Sequence, residues 1–292
     1  MTGKITKGIA GFYYVHGEDG SIYECRAKGS FRKDGIKPLV GDNVRICVLD
    51  EEKKTGNLEE ILQRANELVR PAAANISQAL VVFAAAKPAP NFDLLDRFLI
   101  YMEQKQIPAL AGFNKCELVT EQQKEKIEEI YTRAGYPVQF FSVKEQTGLT
   151  QLKAVLHGKT TVLAGPSGVG KSSLINFLCP AAAMETGDVS RKIERGRHTT
   201  RHAELFVSDR ETYVMDTPGF STLYVNEILP QELWRYYPEM RQAAAECRFA
   251  GCSHRTEPDC GVKEAVSCGK IAEERYESYR RLYAELSSIK RY

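Results

Sequence analysis

Gly165, Pro166, Ser167, Gly168, Val169, Gly170, Lys171 and Ser172 restrict what this chain can fold into more than any other stretch. They follow a short apolar run, Thr161-Val-Leu-Ala, and lead into Ser173-Leu-Ile-Asn-Phe-Leu178, which reads as a helix. The spacing G-x-x-x-x-G-K-[ST] between a strand and a helix predicts a phosphate-binding loop, a far more specific signal than a chance glycine-rich turn. The glycines let backbone N–H groups fold into a concavity for phosphate oxygens, and the helix that starts at the loop's end adds the positive end of its dipole. Lys171 is placed to reach the outer phosphates and Ser172 to bind Mg²⁺.

The rest of the chain is long enough, at 292 residues, for about two or three domains with cores of their own. A net charge of +2 excludes a basic field over the whole molecule, so any RNA contact must come from local patches. The start, Met1-Thr-Gly-Lys-Ile-Thr-Lys, has no apolar segment of the kind that follows the basic residues of a secretory signal. The longest apolar run, residues 79–86, is too short to span a bilayer. A soluble, cytoplasmic monomer without membrane or DNA partners is the expectation. Of the eight cysteines, Cys25, Cys47, Cys116 and Cys179 are scattered singly as small core residues often are, which is no disulfide framework.

Residues 1–68 alternate apolar and polar positions in short stretches: Lys7 to Val15, Ser21 to Arg26 and Asn43 to Val48. Glycine turns separate them, which predicts a small all-β barrel, an oligonucleotide-binding (OB) fold first and an SH3-like barrel second. Phe12, Tyr13, Tyr14 and Phe31 lie among Lys28, Arg32, Lys33 and Lys37, a mixture that suits stacking on single-stranded RNA, although several of these rings are also core candidates. Residues 1–70 hold 12 basic against 11 acidic side chains, so charge adds little to that reading. Asn66 to Pro71 reads as a linker.

From Ile76 the texture becomes α/β, and residues 69–222 form the expected phosphate-binding domain. Gln78 to Ala85 is a continuous apolar run suited to a strand buried on both faces, Phe92 to Tyr101 has helical periodicity, and Ile107 to Phe113 is a second strand. That strand ends in Asn114-Lys115-Cys116-Glu117, and the next helix and strand end in Phe141-Ser142-Val143-Lys144. Both segments fall where parallel strands end, the place where open α/β sheets bind ligands. In GTPases an Asn-Lys-x-Asp segment reads guanine through its carboxylate, and a later Ser-Ala-Lys segment supports the base. Here Asn114, Lys115 and Glu117 stand for the first and Ser142 and Lys144 for the second. Glu117 in place of Asp can still accept from guanine if the loop shifts by about a methylene.

Residues 181–200 are a long polar stretch containing Arg195-Gly-Arg-His-Thr-Thr-Arg201. It precedes a hairpin formed by Ala203 to Ser208 and Thr212 to Asp216, and it matches the first switch segment of a GTPase. Either Thr199 or Thr200, with Thr200 favoured, would bind Mg²⁺ and sense the γ-phosphate. Asp216-Thr-Pro-Gly219 follows; Asp216 would hold Mg²⁺ through water and the Gly219 N–H would touch the γ-phosphate. Phe220 stands where many switch GTPases carry a water-orienting glutamine. His198 is then the nearest titratable candidate for the attacking water, with an exposed loop histidine or an RNA contact as the plainer alternatives. The base-reading segments precede the phosphate loop, whereas ordinary GTPases run the other way round. That order is a circular permutation.

Beyond the permuted domain, in residues 223–292, Cys247, Cys252, His254 and Cys260 form C-x4-C-x-H-x5-C, a set that can close a tetrahedral structural zinc site; Cys268 is a rival fourth ligand. Helical segments flank it, and Tyr276, Tyr279, Tyr283 and Leu286 make a stripe that reads as core packing.

With its small barrel, permuted GTPase order, Gly-Arg-His-Thr-Thr-Arg, Asp-Thr-Pro-Gly-Phe and C-terminal Cys₃His set, nearly the full chain closely resembles the RsgA family, the bacterial GTPases dependent on the small ribosomal subunit. The resemblance implies an OB barrel, a Mg²⁺-dependent GTPase binding GTP and GDP, and a helical domain with one structural Zn²⁺. Together these would bind the maturing small subunit and its rRNA and leave on hydrolysis. Glu117 is the visible departure. A nucleotide-gated RNA-binding module in which hydrolysis is incidental is the competing reading. An ATPase or kinase is disfavoured by Asn114-Lys115 and Ser142-Val-Lys144.

Overall fold

Residues 1–29, 31, 35, 37–69, 72–182, 184, 203–216 and 225–289 are described by the structure, a computed structural model. By their contacts they fall into two compact units, residues 1–80 with 149–221, and residues 81–148 with 222–292.

In the first unit, β1 (Thr2–Ile9), β2 (Phe12–Gly17), β3 (Ile22–Ala27), β4 (Asn43–Asp50) and β5 (Thr55–Ile61) close into a barrel in the order β1-β2-β3-β5-β4. β3 runs parallel to β5 and β1 antiparallel to β4, the OB-like arrangement. Alternation drives the closure: Ile5, Val15, Tyr23, Cys25, Val44, Ile46 and Leu58 point inward and are at most 2% exposed. The run Lys7 to Val15, read above as one stretch, is two strands folded back at Ala10 and Gly11, with φ of 51° and 86°. Ala10 pays the cost of a left-handed residue, so the turn carries only half of the usual sequence signal. Within the expected linker and just beyond it, β6 (Glu67–Leu68) pairs with β7 (Ala73–Ala74), and the Asn66 side chain holds both the N–H and the C=O of Ile76.

A six-stranded sheet follows the order β10-β9-β8-β11-β13-β12, formed by β8 (Gln78–Ala84), β9 (Ala109–Asn114), β10 (Val138–Phe140), β11 (Thr160–Ala164), β12 (Glu204–Val207) and β13 (Tyr213–Asp216). All of β8 and β11 is buried, as expected of central strands covered on both faces. β9 and β10 are parallel, as are β11 and β13, while β12 turns back antiparallel to β13. The helices are α1 (Phe92–Gln104), α2 (Glu121–Arg133), α3 (Leu149–Leu156) and α4 (Lys171–Leu178). Their starts are legible: Asn91 accepts from the Leu94 N–H, and Thr120 and Gln123 form a capping box.

The C-terminal part is helical: a 3₁₀ helix Pro230–Tyr236, then α5 (Pro238–Ala244), α6 (Gly261–Ser267) and α7 (Glu273–Ser288). Within the second unit Arg275 of α7 is 1% exposed and donates to Asp96 of α1 at 2.5 Å and Glu239 of α5 at 2.7 Å. Among the described residues, no helix is long and apolar enough to cross a membrane.

Candidate nucleotide and metal sites

In the first unit the predicted loop runs from the end of β11 to the start of α4. Gly170 caps the helix at φ 96°, a conformation that L side chains rarely adopt. The Leu174 N–H bonds the Gly170 carbonyl, and the first amides of the helix have no acceptor within it, an arrangement that favours anions at helix N-termini. Ser167 and Gly168 are exposed, Pro166, Ser172 and Ser173 half-buried, and Val169 is buried beneath them. The Lys171 ammonium donates to the carbonyls of Gly165 and Pro166 at 2.8 and 2.7 Å. Burial lowers its pKa, and the negative charge of Asp216 opposes that shift. The register of β11 with β13 sets Leu163 beside Asp216, so the end of one strand carries the loop and the end of the next carries the carboxylate. Lys171 and Asp216 are thus brought together, while His198, Thr199, Thr200, Gly219 and Phe220 lie outside the described residues.

In the second unit Asn114 is 4% exposed and its Oδ1 accepts from the N–H groups of Lys115 and Val143, at 2.8 and 3.2 Å. That side chain joins the two segments expected to read the base. Lys115, at φ 61°, sends its ammonium to the Lys87 carbonyl at 2.6 Å, and Glu117 stands exposed on the 3₁₀ turn Cys116–Leu118. Ser142 and Thr147 exchange both backbone hydrogen bonds, and Ser142 Oγ accepts from the Glu145 N–H. The loop depends on Gly148, where φ is 70° and a Cβ would come within 2.2 Å of the Phe140 oxygen. Neither Thr147 nor Gly148 stood out in the sequence, although the order Gln146-Thr-Gly148 after Lys144 is the signature of a tight turn. The Lys144 ammonium is raised first by its bond to Glu145, with a further push from the charge of Glu117.

Also in the second unit, one ligand atom from each of Cys247, Cys252, His254 and Cys260 lies within 4.8 Å of the others. Cys247 and Cys260 sulfurs are 3.8 Å apart, and His254 Nδ1 is 3.4 and 3.5 Å from them. Three sulfurs and an imidazole nitrogen at these separations fit a tetrahedral zinc ion. Cys268 is exposed and is not among the four. Burial lowers the His254 pKa, which keeps the imidazole neutral, as a metal ligand must be. The knuckle is braced by groups that the sequence reading did not single out. Glu257 accepts from the N–H groups of Ser253, Arg255 and Thr256; although burial works against its charge, these bonds hold it down at about 2. The tyrosine stripe packs as expected, and its hydroxyls also donate: Tyr276 to the His254 carbonyl at 2.7 Å and Tyr279 to that of Ser253 at 2.8 Å.

A phosphate loop that follows its base-reading segments in the chain, with an OB-like barrel before and a Cys₃His cluster after, defines a circularly permuted GTPase. Residues 61–226 match the family described as RsgA GTPase and residues 2–56 that described as RsgA N-terminal domain. The chain belongs to the RsgA family. Proteins named small ribosomal subunit biogenesis GTPase RsgA are 56% identical in Agathobacter rectalis, covering 100% of both chains, and 46% identical in Alkaliphilus metalliredigens, covering 99% of both. The crystal structure of YloQ, a circularly permuted GTPase, is 38% identical with a TM-score of 0.80, covering 100% of this chain and 96% of that one. YjeQ from Thermotoga maritima is 36% identical, with a TM-score of 0.84 and 99% of each chain covered.

Proposed function

We propose that this protein is a GTP hydrolase that acts in maturation of the small ribosomal subunit, binding the subunit and its rRNA with GTP and leaving on hydrolysis. The observation that carries the reading is the phosphate loop at the end of β11 with Asp216 at the end of the neighbouring β13, in a chain whose buried Asn114 joins the two segments read as base-binding. Loop amides and Lys171 hold the phosphates; Asn114, Lys115, Glu117, Ser142 and Lys144 read guanine. Ser172 and Asp216, with Thr200, would hold Mg²⁺, which neutralises charge on the β- and γ-phosphates. His198 positions the water that Phe220 cannot, and Cys247, Cys252, His254 and Cys260 hold a structural zinc. The barrel of residues 1–68, the GTPase domain of 69–222 and the zinc domain of 223–292 act as one cytoplasmic, monomeric machine. The names of the relatives in Agathobacter rectalis and Alkaliphilus metalliredigens support the ribosomal assignment.

GTP hydrolysis is measured with and without purified small ribosomal subunits, with Lys171→Ala as blank and ATP as competitor. A slow basal rate raised many-fold by the subunits, lost in Lys171→Ala and indifferent to ATP, is expected. No stimulation by subunits would remove the ribosomal assignment.

A further inference from the structure

The short hairpin β12–β13 ends in Asp216, and its register sets Glu204 directly across from Asp216. Residues opposed on antiparallel strands project from the same face with Cβ atoms about 4.5–5.5 Å apart, and like charges so placed repel. A carboxylate is therefore built in beside the one assigned above to Mg²⁺. Its charge is answered from the barrel: Lys7 Nζ of β1 lies 2.9 Å from Glu204 Oε1.

Two further features mark this contact as part of the fold. The pairing of β1 with β2 shifts register between Ile5 and Lys7, a bulge of the kind that re-aims a side chain. The other end of β13 is gripped by the same barrel: His16 Nδ1 lies 2.8 Å from Tyr213 Oη, both residues are 6% exposed, and the Lys4 ammonium stands 5.5 Å over the Tyr213 ring. The Lys7 and Glu204 side chains are 35% and 36% exposed, and such a pair adds little to stability by itself. Its consequence lies in where the Glu204 charge is held.

We propose that Lys7 is a positioning residue of the hydrolase: by neutralising Glu204 it keeps a second negative charge from acting on Asp216, whose carboxylate then serves Lys171 and the nucleotide-bound cation. The barrel is in this way part of the nucleotide site. The proposal rests on the reading of Asp216 given under the proposed function.

The test is a Mg²⁺ titration of the binding of a fluorescent, non-hydrolysable GTP analogue, followed by the same titration of GTP hydrolysis, on the full chain. Lys7→Met is expected to lower the Mg²⁺ concentration at half-saturation by about two- to fivefold, because the unanswered Glu204 charge adds to the negative potential at the cation by about the size of a cross-strand charge contact. Lys7→Arg keeps the wild-type titration, and Glu204→Gln added to Lys7→Met restores it, a rescue that mere loosening of the barrel would not allow. An unchanged or raised half-saturation in Lys7→Met, or a shift that Glu204→Gln does not reverse, overturns the proposal. Asp216→Asn separates the two readings. If it leaves the Mg²⁺ dependence of binding unmoved, the assignment of Asp216 fails and the proposal with it; if it shifts that dependence and Lys7→Met does not, only the role of Lys7 fails.

Discussion

Replacing Arg275 by methionine removes a cation bound to two buried carboxylates. Asp96 and Glu239, whose side chains are 3% and 2% exposed, would remain among the rings of Tyr131, Tyr136 and Tyr237 that now surround the guanidinium. Removing one partner from a buried ion network costs about 3–5 kcal/mol, because the remaining charge has neither water nor counter-ion. With a urea dependence of about 1–3 kcal/mol/M, the unfolding midpoint falls by about 1–5 M. Trp234, the single tryptophan, lies in the 3₁₀ helix of the same unit, so its fluorescence follows the part of the molecule that Arg275 holds. The loss is also pH-dependent. Burial raises the Asp96 pKa above the ordinary 3.8 and Arg275, with a hydrogen bond from Ser278, opposes that rise; without Arg275, burial and the Glu239 charge push it higher. The folded variant then binds a proton that the unfolded chain has already released. Its stability therefore falls as pH climbs from 3.8 towards the folded pKa, and the gap to the wild type narrows as pH is lowered back through that window. A midpoint shift below about 0.5 M, or an equal gap at acid and neutral pH, would refute this account of the network.

Metal analysis of protein purified without chelator should find zinc in one-to-one ratio with the chain, and Cys252→Ser should lose it. Stripping the metal should also change Trp234 emission, because the indole lies 5.6 Å from the His254 ring. Glu117→Asp is expected to tighten GDP binding by about three- to tenfold, with ATP binding unmoved, since it alters how a charged acceptor meets guanine and leaves the phosphate contacts alone. Equilibrium titration with both nucleotides checks it; equal effects on the two would place Glu117 outside base recognition.

The strand-loop-helix around Lys171 was legible because its chemistry needs fixed residue types at fixed offsets, and glycine at φ 96° on Gly170 is one of them. The barrel was legible through alternation, with the OB fold as first candidate ahead of an SH3-like barrel, and the parallel pairing of β3 with β5 agrees with the first. Ala10 hid a hairpin turn, because a non-glycine residue in the left-handed region is a decision of the surrounding sheet and leaves no local mark. Arg275 was illegible for a similar reason. On a helix rich in Glu and Arg it reads as one more solvated charge, and only the convergence of α1, α5 and α7 makes it buried. The tyrosine stripe showed its apolar side in the sequence; the bonds from Tyr276 and Tyr279 to the metal knuckle depend on a loop whose course the periodicity of α7 does not contain.

The division of the chain into residues 1–80 with 149–221, and 81–148 with 222–292, has a consequence for biosynthesis. The barrel strands end at Ile61 and can close while most of the chain is still unmade. Residues 81–148 are then translated long before their partners, and all of 149–221 must emerge in between. At a synthesis rate of about 5–20 residues per second, that stretch waits for several seconds without the residues that complete its unit. A stop codon just after residue 221 would release a chain whose first unit is complete and whose second is half a fold, a natural substrate for chaperones and proteases.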